Sequence, residues 1–147
     1  DMAFVASEDE HDDDAYSVAA KFKQDNLYAA LAYDLDIEGE GKETFRALGQ
    51  YKLDNLTLGA MWNLFQQEGH EDKDGFLLSA SYKVAANTFK LQHAASDIKA
   101  AGGTQTSAGI DHKLGKKTKV FGYYTLMDED AKNSDYDAFG FGLEHNF

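Results

Sequence analysis

The chain has 147 residues, a formal net charge of −12 and a pI near 4.6, with no cysteine and no proline. That length supplies one domain, spanning 1–147. The acidity argues against nucleic acid, whose phosphates need a basic surface, and the missing thiols exclude disulfides and cysteine-based zinc sites. Mean hydropathy is −0.53 although aromatic residues make up 13% of the chain, as happens when apolar residues alternate with polar ones. The longest apolar run, Leu27 to Tyr33, has seven residues, far short of the ~20 a membrane helix needs. The chain starts at Asp1 with no visible signal peptide or initiator Met. This is the expectation for a processed start or for a segment of a longer protein.

In chain order, period-two alternation predicts ten strands, near 2–7, 15–24, 27–35, 43–53, 56–66, 75–84, 88–96, 105–114, 118–127 and 136–147. The third sets Leu27, Ala29, Leu31, Tyr33 and Leu35 on one face and Tyr28, Ala30, Ala32 and Asp34 on the other. The fifth sets Leu56, Leu58, Ala60, Trp62 and Leu64 against Thr57, Gly59, Met61, Asn63 and Phe65. The tenth sets Phe139, Phe141, Leu143, His145 and Phe147 against Ala138, Gly140, Gly142, Glu144 and Asn146. No stretch shows the 3.6-residue period of a helix.

One short phrase recurs about every thirty residues: Phe22-Lys23-Gln24-Asp25-Asn26-Leu27, Tyr51-Lys52-Leu53-Asp54-Asn55-Leu56, Tyr82-Lys83-Val84-Ala85-Ala86-Asn87-Thr88 and His112-Lys113-Leu114-Gly115-Lys116-Lys117-Thr118. Each reads ring, Lys, tight turn, return strand. Tight turns at one end and long acidic connections at the other describe an all-β, antiparallel transmembrane β-barrel, its apolar face towards lipid and its polar face towards water. Phe22, Tyr51, Tyr82 and His112 share the apolar face beside the short turns. Tyr16 and Phe76, six residues before two of them, begin a second row of rings at the far interface. A water-soluble antiparallel sheet would alternate too, but with its apolar face sealed inside.

Charge is segregated by connection. The stretches 8–14, 34–43, 66–75, 97–105 and 127–137 hold 21 of the 26 acidic residues but only four basic ones, a net −17 that leaves +5 on the rest. Glu8, Asp9, Glu10, Asp12, Asp13 and Asp14 would gather divalent cations loosely and bridge them to lipid phosphates. The plainer expectation is a solvated, self-repelling loop. The run lacks the central Gly and distal Glu of a calcium loop, so it defines no metal site, and no cofactor is expected. On the polar face fall Lys21, Lys23, Arg46, Lys52, Lys83, Lys90, Lys113 and Lys119, with Asp111 and Glu144 among them. Facing water inside a barrel, these residues would line the pore and steer anions; alternatively the lysines pair with Asp111 and Glu144 across neighbouring strands.

The stretch Leu114-Gly115-Lys116-Lys117-Thr118-Lys119-Val120-Phe121-Gly122-Tyr123-Tyr124, leading to Tyr136-Asp137-Ala138-Phe139-Gly140-Phe141-Gly142-Leu143-Glu144-His145-Asn146-Phe147, is similar to the last two strands of Gram-negative general porins. Tyr16 to Tyr33 resembles an interior hairpin of the same family. The resemblance implies a trimeric outer-membrane channel for ions and small hydrophilic solutes, embedded in lipid and lipopolysaccharide. It also implies that Phe141, Leu143 and Phe147 form the signal read by the assembly machinery. Such porins have about sixteen strands, so these would be strands seven to sixteen. The inward-folded constriction loop would lie outside the chain, none of the five long connections being long and apolar enough to serve. A free-standing ten-stranded barrel, filled mostly by side chains, is the alternative.

Two other function classes compete. A rim hydrolase would draw on His70 with Glu68 and Glu71, or on His93 with Asp97, as acid/base pairs. Against it, His93 has lipid-facing parity, His112 and His145 share that face, His11 sits in the acidic run, and Ser7, Ser79 and Ser96 lack a nucleophile motif. An adhesion barrel would use the acidic loops, which are poor in aromatic anchors.

Overall fold

A computed structural model describes the backbone of residues 2–8, 14–37, 39–98, 102–130 and 134–146, and the side chains of these except 2–8, 14 and 134. Ten strands follow one another: β1 (Met2–Glu8), β2 (Asp14–Gln24), β3 (Leu27–Leu35), β4 (Lys42–Leu53), β5 (Leu56–Gln67), β6 (Lys73–Val84), β7 (Asn87–Ser96), β8 (Gly103–Lys113), β9 (Thr118–Glu129) and β10 (Ser134–His145). Each pairs antiparallel with the next in a single sheet of order β1 to β10. Among the described residues β1 pairs only with β2 and β10 only with β9, so the sheet is an open wall. Among the described residues no pairing closes the ten strands into a cylinder.

Predicted and observed strands agree to within about two residues. The differences have local causes. β6 begins at Lys73 because Lys73 and Asp74 still pair with Phe65 and Leu64. β8 stops at Lys113 because the amides of Leu114 and Gly115 both turn to the Thr118 carbonyl, at 3.0 and 3.3 Å.

Three short turns have two residues each, and their first residues, Asp25, Asp54 and Ala85, take φ of 48°, 45° and 50°. A positive φ at the first central position matches the twist of the flanking strands. The recurrent phrase has a structural purpose as well. The amide of its Lys donates to the second residue of the preceding turn: Lys52 to the Asn26 carbonyl, Lys83 to Asn55 and Lys113 to Ala86, each at 2.9 Å. Each hairpin is thereby tied at its base to the one before it, and the register of the ladder is repeated.

Burial follows the alternation, as in Ala15 to Ala20, where intermediate and exposed residues take turns. Among the described residues no hydrophobic side chain is buried. Leu27, Leu31, Leu58 and Phe141, which a soluble sheet would pack together, are 41, 51, 42 and 82% exposed. Among the described residues no second sheet or helix covers the apolar face. The inner face is concave: a cavity of about 500 Å³ is bounded by Thr44, Arg46, Asn63 and Phe65 of β4 and β5 and by Gln105, Met127, Glu129 and Tyr136 of β8 to β10.

Candidate functional site

The pairing register decides which side chains share a face. Lys21 lies opposite Ala30, Lys23 opposite Tyr28, Arg46 opposite Ala32 and Asn63, and Lys52 opposite Thr57. Further round, Lys83 faces Thr88, Lys90 faces Ser81 and Gly109, Asp111 faces Thr88, and Lys119 faces both Lys113 and Glu144. Because faces alternate along every strand, this chain of partners puts all ten charged residues on the concave side. The lysines among them lie at the first or second inward position from a short turn.

The two halves of this wall differ. On β7 to β10 the charges form a ladder: Lys90 Nζ to Asp111 Oδ2 at 2.8 Å, Lys119 Nζ to the same oxygen at 3.7 Å and to Glu144 Oε2 at 3.0 Å. The cross-strand pairing anticipated for Asp111 and Glu144 is thus present for two of the lysines. Lys23, Lys52, Lys83 and Lys113 form no ion pair among the described residues, and all four are exposed. Arg46 is alone in lying far from the short turns, and its Nη1 is 3.5 Å from Asp34 Oδ2.

Between the ends, among the described residues, the concave face carries no charge beyond Arg46 and its partner Asp34. Ser79, Gln92, Gln105, Ser107 and Thr125 line its middle, with the Ser107 and Thr125 hydroxyls 2.8 Å apart. On β9 the inward rings of Phe121 and Tyr123 lie over Gly142 and Gly140 of β10. A Cβ at either glycine would meet the ring at 2.6 and 2.5 Å respectively. Glycine here makes room for an aromatic ring on the water-facing side.

The outer face carries the rings. Tyr16 and Phe22, Phe45 and Tyr51, Phe76 and Tyr82, and Phe139 and His145 are each separated by six residues along one strand. The second row is therefore fuller than Tyr16 and Phe76 alone suggested. Phe45 escaped notice, although the same spacing from Tyr51 marks it. It meets Trp62 edge-on at 5.9 Å, and Trp62 Nε1 donates to Asp74 Oδ2 at 2.9 Å. Phe141 and Leu143 project from this face, 82 and 63% exposed.

The proposed acid/base pairs do not assemble. His70 Nδ1 contacts the Glu68 backbone carbonyl at 3.1 Å. His93, on the outer face, meets Thr106 Oγ1 at 2.8 Å and the Phe76 ring at 5.9 Å, while Asp97 accepts the Asp74 amide at 2.6 Å. Among the described residues no cluster of His, Asp or Glu is arranged to hold a metal ion. Asp9, Glu10, His11, Asp12, Asp13 and Phe147, and the side chains of Ser7, Glu8 and Asp14, lie outside the described residues.

An open antiparallel wall with one lipophilic and one charged face, short turns below and long acidic loops above, is the architecture of a transmembrane β-barrel. The sequence model of the Gram-negative porin family matches residues 3–147, and the chain belongs to that family. The anion-selective porin from Comamonas acidovorans is similar in structure, with a TM-score of 0.78 at 18% identity over 99% of this chain and 55% of that one. A mutant porin of Rh. blastica gives 0.67 at 25% identity over 91 and 44%. OmpT of Vibrio cholerae gives 0.65 at 13% identity over 90 and 56%. No curated protein sequence matches the chain. The chain spans about half the length of these solved porins. Family and fold place it in the outer membrane of a Gram-negative bacterium.

Proposed function

We infer that the chain forms one β-barrel domain, the C-terminal part of a porin of about sixteen strands, and that the whole protein is a passive channel for ions and small hydrophilic solutes. The observation that carries this reading is the inverted sheet. Large hydrophobic side chains stay exposed on one face with none buried among the described residues, while lysines and carboxylates gather on the concave face. Only lipid outside and water inside satisfy both faces at once. Lys21, Lys23, Arg46, Lys52, Lys83, Lys90, Asp111, Lys113, Lys119 and Glu144 are the pore-lining charges of this reading, and Phe141, Leu143 and Phe147 its assembly signal. The protein is not an enzyme on this account, since passage needs no chemistry, and it acts as a homotrimer in lipid and lipopolysaccharide. Planar-bilayer recording of the full-length protein tests it: stepwise conductance increments are expected, and a bilayer that stays silent under conditions where the protein inserts refutes it.

A further inference from the structure

We propose that this wall makes the channel conduct asymmetrically: its two ends carry fixed charge of opposite sign, separated by a belt without net charge, so current passes more readily in one direction. The proposal rests on the channel reading and goes beyond it.

Three observations carry it. First, the lysines cluster at one end. Lys23, Lys52, Lys83 and Lys113 recur at the same place in successive hairpins, beside the short turns, and none forms an ion pair among the described residues. Neighbours in this row are two strands and two residues apart, about 12 Å from the ~4.8 Å strand spacing and ~3.4 Å rise. That is too far for one small anion to bridge, so the row acts as a collar, not as a binding site. Second, the opposite end is acidic, with a net −17 on the long connections; Glu68, Glu71 and Asp72 there are all exposed. Third, among the described residues the middle of the concave face is Ser, Thr, Gln, Gly, aromatic and, at Leu48, Met61 and Leu77, aliphatic; its charges are Arg46 and Asp34, which offset each other at 3.5 Å.

A twelve-residue strand such as β4 runs ~40 Å and spans ~30 Å when tilted by ~40°. The Debye length is ~8 Å at physiological salt. The two ends are therefore screened from one another, and each enriches its own counter-ion: anions at the collar, cations at the loops. With the long-loop side positive, cations from the loops and anions from the collar are both driven into the belt, and carriers accumulate there. With the loop side negative both are drawn out and the belt is depleted. Conductance is therefore higher with the loop side positive.

The test is single-channel recording of the full-length protein at symmetric salt. Orientation is fixed by biotinylated His70→Cys in the β5–β6 connection and streptavidin added from one chamber. At 0.1 M KCl the conductance at +100 mV on the loop side is expected to exceed that at −100 mV by about 1.5-fold or more. At 1 M, where the Debye length is ~3 Å, the ratio falls to about 1. Lys52→Gln, Lys83→Gln and Lys113→Gln together should bring the 0.1 M ratio to about 1, as should Glu68→Gln, Glu71→Gln and Asp72→Asn in part. A linear wild-type current–voltage curve, the opposite sign, or a ratio that survives 1 M salt overturns the proposal while leaving the channel standing. If the lysine variant does not insert, the wild-type salt series decides alone. Absence of conductance refutes the channel reading itself.

Discussion

Leu91 and Gln92 are neighbours on β7 that face opposite ways, and placing the same arginine at each measures the solvent on either side of the wall. Leu91 is 54% exposed on the outer face, opposite Ala80, which lies two residues from Tyr82 in the six-residue interval between Tyr82 and Phe76. It sits a third of the way into the band between the ring rows. Arginine on the lipid face of a barrel costs ~2–4 kcal/mol at the midplane and ~0–1 near the interfaces, so Leu91→Arg should destabilise by about 2 kcal/mol on that depth scale. Gln92 lies opposite Ser79 and Ser107 on the concave face. A long cation there meets water and hydroxyls, so Gln92→Arg should change stability by no more than ~0.5 kcal/mol. Equilibrium unfolding of the vesicle-reconstituted protein in urea reads the difference. With m near ~2 kcal/mol/M, Leu91→Arg lowers the midpoint by about 1 M and Gln92→Arg leaves it in place. Equal shifts, or a larger one for Gln92→Arg, would mean that the faces are assigned the wrong way round.

Other expectations follow from single contacts. Ala85 takes a φ of 50°, where a Cβ costs ~1–2 kcal/mol; Ala85→Gly should raise stability by ~0.5–1 kcal/mol after the added unfolded-chain entropy of glycine, seen as a higher urea midpoint. Gly142→Ala would drive a methyl to 2.6 Å from the Phe121 ring, whereas a Cβ at Gly49 has nothing within 4 Å. The first should cost ~1–3 kcal/mol and the second should lie close to wild type in the same assay. Asp111 pairs with both Lys90 and Lys119 and offsets one of their two charges, so Asp111→Asn should shift the reversal potential in a KCl gradient towards chloride, and Lys23→Gln away from it. A shift of the same sign in both would remove these residues from the conducting path.

Much of the fold was legible because a barrel wall is written in period two, and Leu27 to Leu35 or Leu56 to Phe65 assign their own faces. The Asp25-Asn26 and Asp54-Asn55 turns carry turn residues, but Ala85-Ala86 does not; only its place in the thirty-residue repeat marks it. What pairing register decides was less accessible. Lys90 and Asp111 are 21 positions apart, and their contact depends on Lys90 lying opposite Gly109, with Asp111 one step along the same face. The histidine pairs failed for the converse reason. Nearness in sequence put His93 by Asp97, but β7 carries His93 out to the lipid face while Asp97 is held at the strand end by the Asp74 amide.

The lysine collar and the hairpin repeat share one cause. Lys52, Lys83 and Lys113 each offer their amide to the turn before them, which fixes the height of the Lys and of the interfacial ring next to it in the chain. In a strand, the residue beside an outward ring points inward. A ring that anchors the hairpin base in lipid therefore obliges its neighbour to project into the lumen at the same height in every repeat. Replacing that neighbour by a carboxylate would preserve the amide bond and the anchoring ring while reversing the collar's sign. Lys52→Glu with Lys83→Glu should thus leave the barrel's stability within ~0.5 kcal/mol, as expected at exposed positions, yet change which ion it favours. If the doubly substituted protein inserts and conducts with its ion preference unchanged, the charge of the wall is incidental.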